Sequence, residues 1–252
     1  MQLRNSTTLS PFSRIVVLQT KEKTVYSGIE ELVAIDRSMP RYNSFIAETI
    51  TRSLKPGTRP VDFGAGIGTL SDLVVAKTGI KPTCVEVDPT CRQVLQSKGY
   101  RTFDNIADAG KFDFVFSSNV LEHIENDQEI LNLIFNSLEK DGRIVLYLPA
   151  FQILFSKLDA SVGHYRRYDK KALVSKLTNA GFEVEEVSYA DCLGFFISLI
   201  FRFFGYSSDK GLASPGRLET YDKYIFPVSR GIDSLGIKHF FGKNIFVRAK
   251  KS

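Results

Sequence analysis

Cysteine is scarce in this chain of 252 residues. Cys84, Cys91 and Cys192 are an odd number with no C-x-x-C spacing, so neither a disulfide framework nor a cysteine-built zinc site is expected. Long apolar runs are missing too. The longest, Leu193 to Tyr206, is broken by Arg202 and falls short of the ~18 residues that a membrane-spanning helix requires. Met1-Gln2-Leu3-Arg4-Asn5 has neither the basic start nor the apolar stretch of a secretory signal, and a reducing cytoplasm is the expected compartment. An excess of one charge sign is also absent from most of the chain. The net charge is +5, but residues 201–252 hold 10 Lys/Arg against 4 Asp/Glu, leaving 23 basic and 24 acidic residues in the first 200. A uniformly basic nucleic-acid binder is not expected from such a distribution. At 43% hydrophobic and 24% charged, the composition is that of an ordinary globular protein, long enough for one large α/β domain or for that domain plus a small appendage.

What is present is a regular alternation. Apolar runs at Pro60–Phe63, Thr83–Val87, Phe112–Ser117 and Arg143–Leu148 read as strands, and Leu70–Lys77, Thr90–Lys98 and Asp127–Leu138 read as helices. A helix over Asp169–Ala180 closes at Gly181, followed by strands at Phe182–Tyr189 and Asn244–Arg248. Such βαβ units make a largely parallel sheet that binds ligands at the carboxyl ends of its strands. The organisation expected is an N-terminal helical cap (1–56), an α/β core (57–192), a phenylalanine-rich basic helical insertion (193–242) and a final core strand (243–252).

The chemistry begins at Val61-Asp62-Phe63-Gly64-Ala65-Gly66-Ile67-Gly68-Thr69-Leu70. Here a strand enters a glycine-rich turn that opens a helix, an arrangement that brings a ligand close to backbone and to unpaired N–H groups. Its spacing is G-x-G-x-G, not the G-x-G-x-x-G of dinucleotide dehydrogenases. Glu86 follows Gly64 by 22 residues, near the separation of about 20 at which an acidic strand-end residue meets a ribose diol. Asp88 precedes Pro89 and reads as a turn residue. Asp104, after the short Tyr100–Phe103 run, suits either an adenine amino group or a turn cap.

A third segment, Phe112–Ser118 leading into Asn119-Val120-Leu121-Glu122-His123-Ile124, makes the pattern specific. Together the three motifs resemble a class I S-adenosylmethionine-dependent methyltransferase, from about residue 40 onward. The likeness is strongest to a bacterial group marked by Gly64–Leu70, Asn119–Ile124, Gly163-His164-Tyr165-Arg166-Arg167-Tyr168 and Gly181-Phe182-Glu183-Val184. That group is often associated with glycan and cell-envelope synthesis. One departure is visible: Asp191-Cys192-Leu193-Gly194 stands where the group carries Asn in an N-x-x-G stretch. The resemblance implies a Rossmann-like α/β fold with a seven-stranded, mostly parallel sheet and helices on both faces. It implies S-adenosyl-L-methionine as cofactor, held by Asp62, Gly64, Ala65, Gly66, Gly68, Glu86, Val87, Asp104, Asn119 and Val120.

For the reaction, three histidines are available. His164 lies in the loop after the fifth strand, on the acceptor side, and is the first candidate for a general base; His123 is the second. His239 sits in the tail beside Phe240 and Phe241. Tyr165, Arg166, Arg167 and Tyr168 are the candidate acceptor contacts, the arginines for an anionic group. Ser118-Asn119-Val120-Leu121 lacks the N-P-P-Y pattern of amino-directed nucleic-acid enzymes, so no nucleic-acid partner is expected. Leu148-Pro149-Ala150-Phe151 lacks the Asp/Asn cluster of metal-assisted catechol methylation, so no metal is expected. The expected reaction is methyl transfer to a hydroxyl of a sugar or lipid-linked glycan, with a quinone, polyketide or amine as the alternative acceptor and non-catalytic cofactor binding as a third reading. Residues 195–252 hold 9 of the 20 phenylalanines, and Leu193–Tyr206 reads either as a cover over the acceptor site or as an interfacial helix against anionic lipid.

Overall fold

The computed structural model describes residue 33, residues 37–204 and residues 215–252. Residues 1–32 of the expected helical cap lie outside the described residues, as do Gly205 and Tyr206. Helix α1 (Pro40–Thr51) precedes strand β1 (Pro60–Phe63), α2 (Thr69–Thr78), β2 (Thr83–Val85), α3 (Pro89–Ser97), the short β3 (Thr102–Phe103) and β4 (Phe112–Ser118). There follow α4 (Asp127–Ser137), β5 (Leu138–Pro149), α5 (Lys157–Ser161), α6 (Lys170–Asn179) and β6 (Phe182–Ala190). Helices α7 (Cys192–Phe204), α8 (Pro215–Thr220) and α9 (Phe226–Ser234) then lead to β7 (Asn244–Lys251).

The seven strands form one sheet in the order β3-β2-β1-β4-β5-β7-β6. All neighbours are parallel except β7, which runs antiparallel to β5 and β6. This is the expected Rossmann-like α/β arrangement. Strand alternation sends successive side chains to opposite faces. Val115, Ile144, Leu146 and Leu148 face one core with Leu131 and Ile134 of α4 and Leu173 and Leu177 of α6. Phe114, Phe116, Val145 and Tyr147 face the other, with Tyr42, Ile46 and Ile50 of α1, Val74 of α2 and Phe226 of α9. The second core is aromatic: Tyr42 and Phe45 each meet both Tyr147 and Phe226 edge-on at 5.1–6.4 Å.

Strand β5 begins at Leu138, ahead of the expected start at Arg143, and β7 runs on to Lys251 past the expected end at Arg248. Strand β2 ends at Val85, which leaves Glu86 and Val87 in the loop beyond its carboxyl end.

The N-terminal and C-terminal helices share a polar tie. Helix α1 has no side-chain cap of its own. Instead buried Asp222, in a π-helical turn between α8 and α9, accepts from Arg41 N at 3.0 Å and Tyr42 N at 2.8 Å. These are orphan donors of the first turn, which a carboxylate satisfies while opposing the positive helix end. Asp191 plays a similar part at α7, where its Oδ1 accepts from Gly194 N at 3.1 Å and its Oδ2 from the Tyr221 hydroxyl. A Cβ on Gly194 would lie 2.2 Å from Asp191 Oδ2, so this tight approach requires glycine. Among the described residues, no helix is long and apolar enough to cross a membrane.

Loss of a cap typically costs 0.5–2 kcal/mol, and this one is buried and charged. Asp222→Ala is therefore expected to lower stability by about 2 kcal/mol and the melting temperature by roughly 4–8 °C, measured by circular dichroism.

Candidate active site

The order of strands reverses between β1 and β4, and a doubly wound sheet opens a crevice at such a point. The β1–α2 loop and the residues after β4 face one another there. Gly64, Gly66 and Gly68 all have positive φ, at 78°, 54° and 89°. Gly68 is the left-handed N-cap of α2. A Cβ on Gly64 would lie 2.3 Å from Val120 Cγ2, which shows how closely the two loops pack. Around Gly66 a Cβ would meet nothing within 4 Å, so the loop is open on that side.

Glu86 belongs to the same crevice. Its carboxylate accepts from Gly66 N at 2.7 Å and from Asp88 N at 2.9 Å, fixing it against the glycine loop. Arg92 braces the turn by donating to the carbonyls of Glu86 and Val87 at 2.8 and 2.7 Å. Val87 is 67% exposed beside them. Asp88 caps α3, accepting from Thr90 N and Cys91 N, both at 2.8 Å. Asp62 lies beneath the loop rather than on its open side. It is buried, accepts from Ser71 Oγ at 2.7 Å, and is pushed up to about 7 chiefly by burial. Asp104 is exposed, and the turn after β3 is capped by its neighbour Asn105, which accepts from Ala107 N. Asn119 takes a positive φ of 52° at the end of β4, with its N–H donating to Tyr147 O.

Beyond the ends of β4 and β5 the chain assembles a polar cluster from three separate segments. Leu121–His123 is a short 3-10 turn after β4, Ser156–Ser161 contains α5, and His164 lies in the loop that follows. His164 Nδ1 donates to Asp159 Oδ1 at 2.9 Å, and its Nε2 lies 3.9 Å from Glu122 Oε1. The His123 and His164 rings meet edge-on at 4.5 Å. Burial tends to raise Asp159, but the His164 hydrogen bond and the Arg167 guanidinium overcome it and hold the carboxyl well below its usual range. Glu122 is the opposite case. It is 0% exposed, neither of its carboxylate oxygens has a hydrogen-bond partner, and burial pushes it up to about 8. Burial, then the neighbouring His164, pulls His123 down to about 4.

The expected acceptor contacts fall into two groups. Tyr165 is 47% exposed. The other three are engaged with carboxylates of the protein itself. Arg167 is paired with Asp159 at 2.8 Å and Arg166 with Asp127 at 2.8 Å. Tyr168 is buried, its hydroxyl donating to Asp127 Oδ2 at 2.8 Å. The Gly163–Tyr168 segment is thus stapled onto the sheet by its own charges. Glu122 and Asp159 were not singled out in the sequence. For Asp159 a signal existed, since Ser156-x-x-Asp159 is the spacing of a capping box, and one forms. His239 is exposed and apart from the cluster. A cleft of about 180 Å³ lined by Phe45, Arg52, Glu186, Arg230 and Arg248 contains none of the glycine-loop or histidine residues.

A sheet of this order with a three-glycine loop and a strand-end glutamate defines a class of proteins, the class I methyltransferase fold. Residues 35–187, more than half of the chain, match the family described as methyltransferase domain, and the chain belongs to that family. A ubiquinone biosynthesis O-methyltransferase of Xanthomonas axonopodis pv. citri (strain 306) is 26% identical over 167 residues, 56% of this chain and 70% of that protein. A SAM-dependent methyltransferase from Archaeoglobus fulgidus superposes with a TM-score of 0.54 at 17% identity, covering 83% of this chain and 94% of that one. The geranyl diphosphate C-methyltransferase from Streptomyces coelicolor A3(2) gives 0.57 at 12% identity, covering 84% and 80%. The structural likenesses bear on the fold.

Two measurements probe the loop. Gly64→Ala combines a left-handed φ with a clash against Val120, and is expected to cost about 1–3 kcal/mol; adding Val120→Ala should restore part of the loss in a thermal melt. Asp62 holds its proton more tightly folded than unfolded, so its ionisation opposes folding increasingly as pH rises from about 4 to about 7. Relative to the wild type, the melting temperature of Asp62→Asn should therefore climb between pH 5 and pH 8. A gap that narrows over that range contradicts the assignment.

Proposed function

We propose that the protein transfers the methyl group of S-adenosylmethionine to a hydroxyl oxygen, on a sugar or lipid-linked glycan. The observation that carries this reading is the Asp159–His164 pair with its 2.9 Å hydrogen bond, set beside the β4 loop that also packs on Gly64. A sulfonium is already a good leaving group, so the protein's part is to align the acceptor and activate its oxygen. Gly64–Gly68 and Asn119–Val120 offer backbone to the cofactor's amino-acid end, and Glu86 offers free lone pairs to its ribose. Val87 offers an apolar surface to adenine. As the acceptor oxygen bonds to the methyl carbon, the carbon–sulfur bond breaks and its electron pair stays on sulfur. His164, oriented by Asp159, acts on the acceptor hydroxyl. The ubiquinone-biosynthesis relative favours a second acceptor, a quinone.

Helix α7 supports a lipid-linked acceptor. Phe195 packs on Phe151 just past β5 at 5.2 Å, while Phe196 and Ile200, four residues apart on α7, are 47% and 54% exposed. We place the enzyme in the cytoplasm with this face toward the membrane surface.

Calorimetry should show binding of S-adenosylmethionine, weakened at least about tenfold in Glu86→Ala, as loss of charged hydrogen bonds implies. Failure of the wild type to bind either the cofactor or its demethylated product would sink the reading. His164→Ala should keep cofactor affinity and lose on the order of a hundredfold or more in turnover; unchanged turnover would remove His164 from the mechanism. Co-sedimentation with anionic vesicles tests the membrane face, and no binding would exclude it.

A further inference from the structure

Glu122 poses a question that the proposed reaction leaves open. A carboxylate buried with neither oxygen hydrogen-bonded is costly, and such groups in folded proteins are ordinarily paired or coordinate a metal. Here the groups facing it are two imidazoles. One donor atom from each of Glu122, His123 and His164 lies within 4.8 Å of the others, and all three side chains are wholly or partly buried. We propose that Glu122, His123 and His164 bind a divalent transition-metal cation of the zinc or cobalt type.

Four features of the cluster support this. The donor set, two imidazole nitrogens and one carboxylate oxygen, is that of zinc sites that keep a coordination position open, as opposed to closed structural sites. Ligands about 2.0–2.2 Å from zinc stand roughly 3.3 Å apart, so the 3.9 Å between His164 Nε2 and Glu122 Oε1 needs only a small contraction. The outer contacts are also in place. His164 gives its Nδ1–H to Asp159, the carboxylate–histidine arrangement that fixes a ligand's tautomer and leaves Nε2 for the metal. Backbone groups at Val162 and Gly163 hydrogen-bond the His123 ring. Finally the charges suit a cation: Arg167 offsets Asp159 at 2.8 Å, while Glu122 has no ion-pair partner closer than the 3.9 Å His164. The expectation of no metal rested on the loop after β5. These ligands come instead from the turn after β4 and from the loop beyond α5.

This inference rests on the proposed methyl transfer for its purpose. A cation with an open position would bind the acceptor oxygen and release the hydroxyl proton to solvent. The oxygen lone pair would then form the bond to the methyl carbon as the carbon–sulfur bond breaks toward sulfur. His164, oriented by Asp159, would then act on the acceptor hydroxyl through the cation that it holds.

The full-length protein, stripped with chelator and dialysed, is titrated with Zn2+ by calorimetry and with Co2+ by visible absorption. One equivalent should bind, with intense cobalt bands of tetrahedral or five-coordinate type. His123→Ala, His164→Ala and Glu122→Gln should each weaken binding at least tenfold, and His239→Ala should not. No saturable binding of either cation overturns the site, as does binding unchanged in all three ligand variants. Where a variant does not fold, the wild-type cobalt spectrum decides, a weak octahedral spectrum counting against the site. S-adenosylmethionine binding is measured on the same samples. Cofactor binding without cation binding overturns the metal site and leaves the methyltransferase reading standing. Cation binding without cofactor binding does the reverse.

Discussion

Pro60, Val61 and Asp62 pair in parallel with Phe114, Val115 and Phe116, and because the two strands run the same way, the loops that follow them leave the sheet on one edge. The chain then turns away in opposite directions, toward β2 on one side and β5 on the other. The three glycines after β1 and the Asn119–His123 segment after β4 therefore face each other, with Val120 against Gly64. The cofactor crevice and the histidine cluster both depend on that one pairing.

The remaining layers hold this edge in shape. On one face the aliphatic core locks α4 and α6 to the sheet, and Asp127 at the start of α4 gathers Arg166, Tyr168 and Lys176. That gathering fixes the loop carrying His164. On the other face the aromatic core joins α1 to α9, with Asp222 capping α1 across 181 residues of sequence separation. The helices before β7 are thus part of the scaffold.

Carboxylates organise the protein more than its arginines do. Asp62, Asp88, Asp127, Asp159, Asp191 and Asp222 each accept two or more hydrogen bonds or rank among the buried polar residues. Each has internal donors facing it. Buried Glu122 differs from them, since neither of its carboxylate oxygens has a hydrogen-bond partner and two histidines stand beside it.

The sequence alone carried the strand–helix alternation, since period-2 and period-3.6 patterns are local, and it carried the glycine loop and Glu86, whose spacing is set within one βαβ unit. Class and cofactor came with the family resemblance that those motifs and the Asn119–Ile124 segment carry. The seating of the Gly163–Tyr168 segment was not legible, because Arg166, Arg167 and Tyr168 look like substrate contacts until Asp127 and Asp159 arrive from other elements. The meeting of Glu122, His123 and His164 was equally hidden. Forty-one residues separate His123 from His164, and no local periodicity links them; only the parallel sheet, by bringing the ends of β4 and β5 to the same edge, decides that they share one site.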